Sequence, residues 1–440
     1  MNPIPAVPDS ILRHRPFVLY WSARTCAAMG FQMLGVAVAW QMYALTGSAF
    51  DLGLVGLAQF LPALAFMLVA GQIADRYHRR RLLQICQTVE GLAAAALAVG
   101  SIAGWVSKEF ILAAVFVFGV GRAFDAPTQQ TLLPGVVPAA LFPRAVAASA
   151  STTQLATITG PAFGGFLYAV DPAVPYTICF ALFLSSIVLL AFVQIERSAR
   201  RRARFRASVR RAHFRIAALA ARFARQRGAG PRSPVNLEAF FAGISYIRGN
   251  PIVLGVISLD LFAVLLGGTT ALLPIFANDV FHLGSEGLGL LRAAPAVGAL
   301  AIMAVLTMSP LTRHVGRIMF VSVACFGLAT IVFALSTSFV LSMVALAALG
   351  ASDAVSVVIR MTLVQIETPD EMRGRVNAVN SLFAGTSNQL GDFRAGVMAA
   401  ALGAIPAVLV GGIGTLLVVL IWTRVFPALR QVDGFYAKKA

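Results

Sequence analysis

Residues 71–80 read Gly71-Gln72-Ile73-Ala74-Asp75-Arg76-Tyr77-His78-Arg79-Arg80, between an apolar run at 50–73 and another at 82–103. Each flanking run is long enough to cross a bilayer as a helix, which takes about 20 apolar residues. Ionised side chains are costly in hydrocarbon, so the acid and three arginines mark a water-facing turn between two spans. The residue types suit that place. Gly71 permits close helix approach, Asp75 can accept from backbone donors at a helix N-terminus, and Arg76, Arg79 and Arg80 can sit at a lipid-headgroup surface.

The 440 residues are 58% hydrophobic and 12% charged, with a mean hydropathy of +0.81. A soluble domain carries roughly twice that share of charge, about 25%. Breaking the chain at charge and turn clusters yields twelve spans: 17–44, 50–73, 82–103, 109–132, 144–169, 173–194, 251–277, 286–308, 316–335, 338–366, 376–400 and 404–425. The N-terminus lacks the short apolar core and cleavage site of a removable signal peptide.

The chain is also basic, with 35 Lys+Arg against 18 Asp+Glu, a formal +17. Of those 35, 29 lie in the even-numbered connections, at the span ends that flank them or in the termini, Lys108 alone in an odd-numbered connection, and five deep inside spans. The positive-inside rule therefore places both termini in the cytoplasm. Thirteen Arg fall within 197–232, where Phe205, Val209, Ala212, Ile216, Leu219 and Phe223 recur at helical spacing. The preferred reading is an amphipathic helix on the cytoplasmic leaflet that binds anionic lipid. A loop whose charge only fixes topology is the alternative. With 13 of the charges in one insert, the excess records membrane orientation and not nucleic-acid binding. A second amphipathic stretch, 236–248, leads into span seven.

That insert separates six spans from six, which defines an N-terminal bundle (1–194), a cytoplasmic linker (195–250) and a C-terminal bundle (251–440). Shifting by 231 positions superposes 119–165 on 350–396 without a gap. The coincidences include Gly119/Gly350, Pro138/Pro369, Arg144/Arg375, Gly160/Gly391 and Gly165/Gly396. Parallel repeats of this kind build transporters with a substrate site midway between the halves.

The stretch 71–80 resembles the GxxxDRxGRR loop signature of the major facilitator superfamily, with His78 where the signature has Gly. Around Arg313 and Arg317 the second half keeps the cations but lacks the acid. Span five carries Gly160-Pro161-Ala162-Phe163-Gly164-Gly165, with Ala147 and Ala156 upstream. This is similar to the superfamily's antiporter motif, with Ala in the two upstream Gly places. The stretches from Arg122 and Asp125 to Pro127, and from Pro369 to Val376, resemble the drug and siderophore efflux branch. The resemblance implies an all-α, twelve-helix integral membrane fold of two pseudo-symmetric bundles in the bacterial inner membrane. It also implies that Asp75, Arg76, Arg122 and Asp125 form a relay closing the inward ends.

Charges inside spans must face a partner or a wet cavity. They are Arg24, Glu90, Arg122, Asp125, Asp260, Arg292, Asp353, Arg360, Asp392 and Arg394. Arg24 and Asp260 sit at matching depths in spans one and seven and are expected to pair across the cavity. Asp260 and Asp392 lead as proton carriers, and Glu90, on a supporting span in the superfamily, ranks lower. The chain has no catalytic signature and no P-loop, so transport must draw on a gradient. No cofactor or metal is expected, since the four Cys lie in apolar runs without CxxC spacing. The expectation is a monomeric, proton-coupled exporter of a small amphipathic, drug-like or siderophore-like molecule. An importer or facilitator of a metabolite, or a non-transporting lipid-handling or sensor protein, remains as an alternative.

Overall fold

The computed structural model describes residues 11, 14–138, 141–193, 237–309, 311 and 313–435. Side chains at 67–69, 71–72, 74–76, 126, 130–131 and 237–240 fall outside that description, as does the whole Arg-rich insert 197–232. Twelve long helices carry the described chain. They are α1 (Arg15–Thr46), α2 (Ala49–Arg76), α3 (Arg79–Ala103), α4 (Lys108–Leu132), α5 (Phe142–Val170), α6 (Ala173–Phe192), α7 (Pro251–Gly267), α8 (Ser285–Met308), α9 (Val315–Leu335), α10 (Phe339–Glu367), α11 (Asp370–Leu402) and α12 (Ala404–Val425). A connecting helix, Leu237–Gly249, precedes α7, where the sequence shows its second amphipathic stretch.

Short hairpins join the helices at one end of the molecule, and local chemistry sets them. Gly47 ends α1 at φ 59°, in the left-handed region, and Ser48 starts α2 by accepting from the Asp51 N–H at 3.2 Å. Ser107 and Ser338 cap α4 and α10 in the same way. A hydroxyl cap satisfies one of the N–H groups that a helix start leaves unpaired.

Among the described residues, ten of these helices are long and apolar enough to cross a membrane. The other two long helices, α5 and α11, measure 29 and 33 residues but are too polar. Their position explains it. α5 packs on α8 and α11 on α2, which are the two principal contacts between the halves. The 231-residue shift exchanges these contacts, since it carries α5 onto α11 and α2 onto α8.

Within each half the helices meet through small residues, as expected where lipid removes the hydrophobic drive for helix association. A methyl at Gly119 of α4 would stand 2.7 Å from the Gln59 carbonyl oxygen of α2. Gly350 of α10 lies still closer against the Pro295 carbonyl of α8. Span seven is broken. α7 stops at Gly267, and the chain continues as a 3-10 turn (Thr270–Leu272), one α turn and a π turn (Phe276–Val280). Paired Gly267-Gly268, followed by Pro274, supplies the cause.

Candidate functional site

Among the described residues, the two halves touch most closely at the hairpin end. Tyr43 of α1 donates to Asp279 Oδ2 at 2.5 Å, and Ser285 Oγ of α8 donates to the Gly165 carbonyl at 2.8 Å. Gly396 of α11 packs on Gly53 and Ala49 of α2, where the Phe50 and Phe393 rings also meet. Deeper in, Arg292 of α8 donates to the Gly35 carbonyl at 2.5 Å, and Gln154 of α5 to that of Ala296 at 3.0 Å.

Beyond these contacts, toward the opposite end, lies a cavity of about 470 Å³. Phe31, Gln59, Phe60, Leu64 and Arg122 line it from the N-terminal half, and Ser381, Leu382, Thr386 and Gln389 of α11 from the other. The Arg122 guanidinium stands 4.2 Å over the Phe31 ring and donates to Asp125 Oδ2 at 3.1 Å. Asp125 is fully buried behind it and also accepts from Gln129 at 2.6 Å. Glu90 and Gln87 of α3 are buried on the same side, and Glu90 Oε1, Asp125 Oδ1 and Gln87 Oε1 lack hydrogen-bond partners among the described residues. Glu90 rests on Gly121 of α4.

The C-terminal half holds a second buried group. Asp260 of α7 and Arg360 of α10 form a 2.7 Å ion pair, and Arg360 also reaches Asn380 Oδ1 at 3.4 Å. Asp353 borders the same small void as Asp260 and Ser356, facing Val323 and Phe326 of α9. The expected Arg24–Asp260 pair does not form. Arg24 donates instead to Thr153 of α5 at 3.3 Å, because Arg360 projects from the helix packed on Asp260.

Asp392 and Arg394 of α11 both serve the break in span seven. Arg394 donates to the Leu265 carbonyl at 2.9 Å and to that of Leu266, the carbonyls that the end of α7 leaves unpaired. Asp392 accepts from the Ala271 N–H at 3.2 Å, on the far side of the break. Its Cβ also faces Gly56 of α2 across the halves. Arg394 is therefore bound up with backbone and not free for solute.

The antiporter-like motif is a packing seam. Ala156 and Gly160 are buried, Gly160 and Gly164 lie on α1 at Gln32 and Met33, and Gly165 lies on α8. The Pro161 carbonyl meets Gly289. Ala147 is exposed and takes no part. In the loop signature, the side chains of Gly71, Asp75 and Arg76 fall outside the described residues, so the relay from Asp75 to Arg122 is not described. His78 takes φ −64°, which any residue can adopt, so the signature's Gly is not needed there. Arg80 donates to the Ala191 and Val193 carbonyls at the end of α6. In the second copy, Asp433, after α12, accepts from the His314 N–H at 3.2 Å. Sequence reading passed over Tyr43, Asp279 and Gln87. Only the acid near the end of span seven could have hinted at the first contact.

Two bundles of six helices, closed together at one end over a shared cavity, define a multi-pass membrane transporter. The chain belongs to the Major Facilitator Superfamily, whose family model matches residues 20–391. It is similar to proteins named enterobactin exporter EntS. The one from Citrobacter koseri is 25% identical over 433 residues, covering 96% of this chain and 94% of the relative. The one from Salmonella typhimurium is 25% identical over 440 residues, covering 96% and 95%. Among solved structures, a bacterial homologue of the lysosomal transporter Spinster superposes with a TM-score of 0.67 at 13% identity, covering 96% and 97% of the two chains. The POT family transporter PepTSo does so with 0.68 at 14%, covering 96% and 99%. These proteins are transporters, not enzymes.

Proposed function

We propose that this chain is a proton-coupled exporter that moves a small amphipathic molecule, of drug-like or siderophore-like size, by alternating access. The observation that carries the reading is closure at the hairpin end, by Tyr43–Asp279 and by Gly165 and Gly396, with a cavity left between the halves beyond it. With the termini cytoplasmic, as the distribution of Arg supports, that cavity faces the cytoplasm and the hairpin end faces outward. An exporter would load in this state. Residues 1–194 and 251–440 then act as the two rocking units, joined by 195–250, in the bacterial inner membrane.

Two carboxylates are positioned to link protonation to rocking. Asp392 touches the break in span seven, lies near Arg292, and faces Gly56 of the other half. Asp260 is paired with Arg360 inside the C-terminal half, and Asp353 borders the same small void. A proton on either would weaken its hold on these groups and shift the balance of inward- and outward-facing states. The similarity to enterobactin exporters supports export over import. The test compares Asp392→Asn and Asp260→Asn with wild type in everted vesicles under an imposed proton gradient. Loss of gradient-driven accumulation at unchanged expression supports the assignment, and full retention by both variants removes these carboxylates from the mechanism.

A further inference from the structure

We propose that the cavity selects an aromatic or apolar molecule bearing a carboxylate or similar anionic group, and that Arg122 is the residue that reads the charge. The inference rests on the export reading above only in taking this cavity as the substrate site. Among the described lining residues, Arg122 is the one that carries a charge. The others are aromatic, aliphatic or neutral polar side chains. Its counter-ion cannot compete for a cationic solute, because Asp125 has no exposed surface and lies behind the wall. The solute therefore meets the cation and not the acid.

The guanidinium is also held ready. The Phe31 ring supports one face at 4.2 Å, and Asp125 and Gln129 fix the geometry from behind. A guanidinium has five N–H donors, and the bond from Nη1 to Asp125 uses one of them. Free donors on a fixed planar cation suit a carboxylate oxygen, and partial exclusion of water strengthens the contact. Phe60, Leu64 and Leu382 accept the apolar body, while Ser381, Thr386 and Gln389 face the guanidinium's wall from the opposite half.

Among the described residues the neighbouring charges do not reverse this polarity. Glu90 of α3, the other acid beside Asp125, is buried and does not line the cavity. Arg24, on the same half, adds a second cation and donates to Thr153. Asp392, one turn beyond Gln389 on α11, is occupied by the Ala271 N–H and lies near Arg292. The Asp260 and Asp353 pair faces α9 and α10 inside the C-terminal half.

Equilibrium binding to the purified full chain in lipid nanodiscs tests this with three probes of one shape: 1-naphthoate, 1-naphthamide and 1-naphthylmethylammonium. The expected result is naphthoate bound more tightly than either analogue by on the order of tenfold or more. Arg122→Gln should erase the preference and Arg122→Lys should keep part of it. Ala378→Phe, on the facing wall, fills the cavity without touching Arg122 and should abolish naphthoate binding. Equal binding of the three probes, no binding of any, a preference for the ammonium, or anion selectivity that survives Arg122→Gln or Ala378→Phe would overturn the proposal. If Arg122→Gln fails to fold, the wild-type probe series and the Ala378→Phe variant still decide it. No gradient is present in this measurement, so its outcome is separate from that of the proton-driven export assay.

Discussion

Gly165 and Gly396 stand 231 positions apart and make the same contact in opposite directions. Gly165 of α5 lies on the Ser285 carbonyl and on Gly289 of α8. Gly396 of α11 lies on the Ala49 carbonyl and on Gly53 of α2. The pair spans both interfaces between the halves at the hairpin end, so closure there is held twice by the same device.

Neither glycine has room for a side chain, because the neighbouring atoms are backbone and cannot swing away. Gly165→Val or Gly396→Val should disfavour the closed hairpin end by about 1–3 kcal/mol, the usual cost of overpacking. The check is labelling by an impermeant maleimide of a cysteine placed at Phe50. Labelling should rise in both variants.

Tyr43 and Asp279 form the polar part of the same closure. Tyr43→Phe keeps the ring and removes the donor, a loss of about 0.5–1.5 kcal/mol for a hydrogen bond near the surface. The hairpin end should open more often, again read by cysteine labelling, while the detergent melting temperature changes little.

Arg360→Ala should be among the most destabilising single changes, since it strands the Asp260 carboxylate, which is 5% exposed. Breaking a buried ion pair from one side costs about 3–5 kcal/mol. Thermal unfolding in detergent should show the loss. Asp260→Asn with Arg360→Gln should recover much of it.

Arg394→Ala should lower the melting temperature by leaving the Leu265 and Leu266 carbonyls unpaired at the end of α7. The expected cost is about 1–3 kcal/mol for each stranded acceptor. Arg394→Lys should restore less than half of this, since one ammonium cannot reproduce the planar fork.

Deleting 200–226 tests the insert by itself. Retained insertion and folding, with weaker dependence of transport on anionic lipid, supports a helix bound to the leaflet. Loss of correct insertion supports a topological role instead.

The twelve helices were legible because a bilayer imposes one rule, about 20 apolar residues between charged turns. α5 and α11 strain that rule. Gln154 on α5, and Asp392 and Arg394 on α11, make these helices polar because their partners are backbone groups and the opposite half, not lipid. The seam at Gly160, Gly164 and Gly165 was legible from its small residues. The pairing of Asp260 was not. Its depth matched Arg24, but partner choice depends on which faces of α7 and α10 meet, and a one-dimensional pattern does not carry that. Arg394 likewise looked like a cavity charge. Its role follows from the break at Gly267-Gly268, which turns nearby carbonyls into acceptors. Tyr43 and Asp279 come from opposite halves and share no motif.

Proton-driven export from a cytoplasm-facing cavity is read out by uptake into everted vesicles carrying the chain. Radiolabelled enterobactin and a panel of amphipathic drugs would be supplied under an imposed gradient, acid inside. At least one of these molecules should accumulate, a protonophore should abolish the accumulation, and Asp392→Asn or Asp260→Asn should lose it. Accumulation indifferent to the gradient, or none by any panel member from a correctly folded protein, would contradict proton-driven export.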